Sequence, residues 1–139
     1  MAFGESVSDL WVLGVTDVYR MDWKQNRVVE RIPLGGAPGL QGIRYDSAGR
    51  RAIVPSAVQP GRKLRLLSLQ NGVARTVADG LGTQLAGALA LSGSIAAVPL
   101  IYNNQLAVID IDSGETKAAI KTGIAPFGVA MNKGATVAY

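Results

Sequence analysis

Leu106-Ala-Val-Ile-Asp110-Ile-Asp-Ser-Gly114-Glu-Thr-Lys-Ala-Ala-Ile120 holds two apolar runs joined by a turn. Asp112-Ser-Gly114 supplies the turn, because Gly tolerates the positive φ that a tight hairpin needs. In the first run Leu106 and Val108 point one way while Ala107, Ile109 and Ile111 point the other. A strand apolar on both sides belongs in a sheet covered on both faces. The same course recurs twice upstream. Ile32, Val77 and Ile120 hold matching places, 45 and 43 positions apart, while the residues between them vary. A unit repeated at that period is the signature of a propeller, whose blades reuse one four-stranded design. A two-layer sandwich with one wet face would show cleaner polar alternation and ranks second.

The copies align residue by residue. In the third, Leu106 to Ile120 leads to Gly123-Ile-Ala-Pro126-Phe-Gly128-Val-Ala-Met and then to Gly134-Ala-Thr-Val-Ala-Tyr139. The first runs through Val18-Tyr-Arg-Met-Asp22, Val28 to Ile32, Gly35-Gly-Ala-Pro38, Gly42 to Tyr45 and Gly49 to Val54. The middle copy is more diverged, with Leu64 to Leu69, Asn71-Gly72, Gly80, Gly87 to Leu91 and Ala96 to Pro99. These units span approximately 18–60, 64–103 and 106–139 of one all-β portion covering 1–139, and 9–15 reads as a strand from a preceding or closing blade. Three copies and a lead-in fall short of the four blades a ring needs. The expectation is therefore a sector of about three four-stranded antiparallel blades, part of a larger propeller of about seven blades, completed by further blades of the same protein or by other copies of the chain.

Val108-Ile-Asp110, Ile120, Gly123-x-x-Pro126-x-Gly128-Val-Ala and the closing Thr-Val-Ala-Tyr139 resemble the YVTN-type β-propeller repeat of bacterial and archaeal surface and periplasmic proteins. Copy one shares Asp22, Ile32, Gly35 and Pro38 but carries a two-residue insertion; copy two has Ser68 and Thr83 where the repeat has Asp and Pro. The resemblance implies a periplasmic or extracellular protein, and it places Gly-x-x-Pro in the loop from the outer strand of one blade to the inner strand of the next, near the mouth of the central channel. Channel-mouth positions are then Gly39, Leu40, Gln41, Gln84, Leu85 and Phe127, of which Gln41, Gln84 and Phe127 are the candidate ligand-binding residues. None is a carboxylate, which argues against a calcium-dependent lactonase-like centre with its several hard oxygen ligands.

Composition narrows the chemistry of these residues. The 139-residue chain contains no histidine and no cysteine. A Ser-His-Asp relay, thiolate chemistry, disulfides and His- or Cys-ligated metals are thus excluded within it. No secretory signal is visible in Met1-Ala-Phe-Gly-Glu-Ser. From Gly80 to Ile109 there is no charged side chain, and Leu85 to Ile101 has the hydropathy of a short membrane span. Gly87, Ser92-Gly93-Ser94 and Pro99 interrupt that run where the repeat register demands turns, so two buried strands are expected and no membrane span.

Asp110-Ile-Asp112-Ser-Gly114-Glu115 faintly resembles a calcium loop, but its glycine comes one position early and the distant bidentate Glu is absent. Gly35-Gly-Ala-Pro38-Gly-Leu-Gln-Gly42 lacks the Lys-Ser/Thr and the helix of a phosphate loop. Asp22 and Asp110 are read as turn residues that bind backbone amides. Positions 20–75 hold eleven Lys or Arg against three acids. Arg27, Arg31, Arg50, Arg51, Arg62 and Lys63 lie beside predicted turns as a solvated surface, and without a platform of exposed aromatics nucleic acid is not an expected partner. No catalytic residue, metal or cofactor is assigned. The leading expectation is a non-catalytic binding or scaffold propeller that recognises a ligand or protein through its channel-face loops. The rival is the propeller portion of a hydrolase, phosphoesterase-fused or lactonase-like, or of a redox enzyme, with catalytic residues outside this chain.

Overall fold

The computed structural model describes residues 1–35, 42–57, 63–82 and 86–139, together with the backbone of Ala37 and Pro38. The described residues form three antiparallel sheets in chain order. The first comprises β1 (Ala2–Phe3), β2 (Asp9–Leu13), β3 (Asp17–Asp22) and β4 (Arg27–Pro33), each paired with the next. In the second, β5 (Ala37–Pro38) and β6 (Arg44–Asp46) share the innermost position against β7 (Arg51–Ala57), followed by β8 (Leu64–Gln70) and β9 (Val73–Ala78). The third comprises β10 (Ala90–Ser92), β11 (Ile95–Leu100), β12 (Gln105–Asp110) and β13 (Thr116–Lys121), with a single 3-10 turn at Ile101–Asn103. Beyond β13, a parallel bridge joins Ala88 to Gly128 and an antiparallel one joins Met131 to Ala138.

Local chemistry explains the hairpins. Asn71 and Gly72 both take positive φ, 51° and 75°, the pattern of the tight turn whose twist matches the flanking strands. Asp22 Oδ1 accepts the Gln25 N–H at 3.1 Å, and Asp110 Oδ1 accepts those of Asp112 at 3.0 Å and Ser113 at 3.3 Å. Both aspartates are therefore turn residues, as their positions predict, and Asp110 to Glu115 is a hairpin. Each sheet also carries a bulge between its third and fourth strands. It falls at Arg20/Met21, Leu66/Leu67 and Val108/Ile109, equivalent positions of the three copies. A repeated irregularity of this kind is a designed bend of the outer strand.

Packing joins the sheets face to face. Trp11, Val18, Ile32 and Leu34 of the first sheet meet Ile43, Ala52, Val54, Leu67 and Leu69 on the second. Ile53, Leu64 and Leu66, on the opposite side of the second sheet, meet Val98, Ala107 and Ile109 of the third. The middle sheet is thus apolar on both faces, which is what its strands read as in sequence. The first two sequence copies each span the last two strands of one sheet and the first two of the next, while the third supplies β12, β13 and the bridged segment beyond them. Copy-equivalent residues consequently face the same way. Ile32, cross-strand from Val18, is 0% exposed beneath the second sheet, whereas Ile120, cross-strand from Leu106, is 49% exposed on the far side of the third. The fold is an all-β propeller sector.

Two local expectations are corrected. Pro99 lies inside β11, opposite Leu106, and not in a turn. Its carbonyl accepts the Gly87 N–H at 2.8 Å, so its nitrogen also points to the inner edge, past the end of β10, where no ladder donor is required. Arg51 is not simply solvated: its side chain is largely buried between two carboxylates. The uncharged run from Gly80 to Ile109 contributes β10 and β11, and among the described residues no helix is long and apolar enough to cross a membrane.

Candidate functional site

Antiparallel order sorts the loops onto two faces. The loops between second and third strands, and those linking one sheet to the next, share one face; the remaining hairpin loops share the other. The first of these is the expected channel-mouth face. Gly39, Leu40, Gln41, Gln84 and Leu85 lie outside the described residues, as does Arg62. Phe127 is described: its side chain is 59% exposed while its carbonyl accepts the Ala88 N–H at 2.7 Å. Gly87 makes that approach possible, since a side chain there would collide with the Phe127 carbonyl oxygen.

Neighbouring loops on this face are pinned by one asparagine. Asn104 adopts a left-handed conformation at φ 53°, its carbonyl accepts the Thr122 N–H and its Oδ1 accepts the Ala125 N–H, both at 2.9 Å. These loops carry Tyr102, 67% exposed, and Ile124, 92% exposed. Arg65 ties the first and second sheets together on the same side, its Nη2 donating to the Leu34 carbonyl at 2.9 Å. The face therefore presents apolar side chains from a hydrogen-bonded backbone.

Ion pairs organise the opposite face. Arg50 of the second sheet pairs with Glu5 of the first, and Arg51 joins Asp46 at 2.9 Å to Asp112 of the third. Burial works against the charge of Arg51, but hydrogen bonds to Asp112 and Asp46 outweigh it and raise its pKa. Between the first and second sheets a groove of about 260 Å³ opens. Trp11 and Tyr45 form its floor, stacked with ring centroids 6.1 Å apart. Arg20 sits with its guanidinium carbon 5.8 Å from the Trp11 ring centroid and donates Nε–H to Asp9 Oδ1 at 2.8 Å, which raises its pKa. Burial pushes the Tyr45 phenol up, reinforced by the charge of Glu5, so it stays neutral.

The groove was not singled out by motif, because its signal appears only once strand pairing is known: with Ile32 set against Val77, Glu30 falls opposite Arg75 and looks like an ordinary surface charge. Trp11, Arg20 and Glu30 are cross-strand neighbours at the bulge of the first sheet. Their counterparts are Pro55, Leu66 and Ala78 in the second sheet and Ala97, Val108 and Ala118 in the third. Charge at a position that is otherwise apolar in every copy marks the seam. Among the described residues no group of three or more Asp or Glu is placed to hold a metal ion.

No family model matches the chain. No curated protein matches it in sequence. Solved structures do match in fold. Apo AztD from Citrobacter koseri superposes with a TM-score of 0.67 at 16% identity, over 92% of this chain and 36% of that one. A protein of unknown function from Bacteroides caccae superposes with a TM-score of 0.64 at 14% identity, over 96% of this chain and 49% of that one. The chain thus spans between about a third and a half of the length of the structures it matches, and at such identities the likeness is one of fold, a propeller-like all-β architecture.

Proposed function

We propose that the chain is a sector of a non-catalytic binding or scaffold propeller built on YVTN-type repeats, located in the periplasm or outside the cell. It recognises a ligand or protein partner through the loop face that carries Phe127, to which the repeat register also assigns Gln41 and Gln84. The observation that supports this most is the trio Tyr102, Ile124 and Phe127, exposed apolar side chains on loops held by Asn104 and Ala88. Exposed apolar groups on a rigid scaffold's loops favour recognition, because they gain from desolvation without first having to be ordered. The remaining blades, or further copies of the chain, complete the ring on the side where Ile120 is exposed.

A panel of short peptides with aromatic or aliphatic anchors, titrated into isotopically labelled chain, tests the assignment. Amide shifts should concentrate at 102, 124 and 127. The triple variant Tyr102→Ser, Ile124→Ser, Phe127→Ser should lose them while its Tm moves by less than about 4 °C, which is under roughly 1 kcal/mol for a domain of this size. Perturbations centred elsewhere, or a collapse of Tm in the variant, would count against recognition by this face.

A further inference from the structure

The seam between the first and second sheets is built differently from the seam between the second and third. In the latter, the bulge position and its cross-strand neighbour are Leu66 and Ala78, both part of a continuous apolar core. The equivalent pair in the former is Arg20 and Glu30. Both charges are only half-buried, and neither is fully paired within the protein. Arg20, its side chain 34% exposed beside the Trp11 ring, uses Nε for Asp9, and among the described residues its two Nη groups have no hydrogen-bond partner. Glu30 makes no ion pair among the described residues and acts on Arg20 only through its field. Its carboxylate reaches across the seam to the β8–β9 turn, where a side chain on Gly72 would come within 3.3 Å of Oε1.

We propose that this groove is a binding site for a small zwitterion with the chemistry of a free α-amino acid, separate from the loop-face site above. The ligand carboxylate lies against the two free Nη groups of Arg20, a planar fork suited to bidentate pairing. Its ammonium lies against Glu30. Arg50 of the second wall is matched by Glu5 of the first, so the lining is balanced in charge and favours a ligand with one group of each sign over a phosphate or a cation. Size points the same way. Pockets for drug-sized ligands run from roughly 300 Å³ upward, and at about 260 Å³ this groove falls below them and suits a smaller ligand.

L-Alanine is the probe, with N-acetyl-L-alanine lacking the ammonium and L-alaninamide lacking the carboxylate. Trp11 beneath Arg20 reports binding by fluorescence once Trp23→Phe removes the other indole. The expected result is a saturable change with L-alanine and at least ten-fold weaker responses to both blocked analogues. The double variant Arg20→Leu, Glu30→Ala, which installs the side chains found at the next seam, should keep or raise Tm and lose the response. No saturable response to L-alanine, equal responses to the blocked analogues on the unsubstituted protein, or a response that survives in the folded double variant would each overturn the assignment.

Discussion

Asp17 begins β3 with its side chain buried, accepting Arg31 Nη2–H at 3.0 Å and Thr16 Oγ1–H at 2.6 Å. Those hydrogen bonds, Arg31 first, hold its pKa below the ordinary 3.8. A carboxyl whose folded value is depressed adds stability that is complete above its unfolded value and disappears as pH falls through the folded one. The chain should therefore lose stability as pH drops below about 4, and Asp17→Asn, already less stable at neutral pH, should lose less over the same interval. Urea denaturation of both proteins at about pH 5 and pH 3 checks this; parallel losses would show that Asp17 is not a source of the acid limb. Asp110, lowered by the backbone N–H groups of Asp112 and Ser113, remains in both proteins. Its role was legible from sequence because the partners are two and three residues away. That of Asp17 was not, since Arg31 reaches it only through the β3–β4 pairing. Arg20 escaped notice for a related reason: a solvated charge and a seam charge look alike until cross-strand neighbours are known.

Strands and turns were the most readable elements. Two-sided apolarity in β7 and β12, and Asn71-Gly72 between β8 and β9, announce themselves within a few residues. The two-residue strand β1 carries no pattern of its own, and the repeat gives a period without saying where a sheet begins. That phase is set by packing between sheets. Gly114 shows how. At φ 76° in the β12–β13 turn, it presses on β9, and a side chain there would collide with the Val77 carbonyl oxygen. Gly93, at φ 58° in the β10–β11 turn, has nothing within 4 Å. Gly93→Ala should cost about 1 kcal/mol for left-handed strain alone. Gly114→Ala should cost about 2–3 kcal/mol because the seam must also shift. Urea midpoints at constant m measure the difference, and equal costs would mean that the turn does not bear on its neighbour.

At the scale of the whole molecule, stability comes from wedge-like sheets that each shield the face of the one before. The repeat carried this architecture, and the solved structures that share it agree in fold. It could not carry function, because the same strands and turns are used whatever the loops bind. Equivalent positions nonetheless differ in environment, and the difference reports the stacking directly. Ile32 is closed over by the second sheet while Ile120 occupies the open side of the third. The decisive measurement is the unfolding free energy of Ile32→Ala and Ile120→Ala against the unsubstituted chain, at a concentration where light scattering shows a monomer and no second copy covers Ile120. Successive shielding predicts a loss of about 2–5 kcal/mol for the first and under about 1 kcal/mol for the second. Equal losses at the two positions would contradict it.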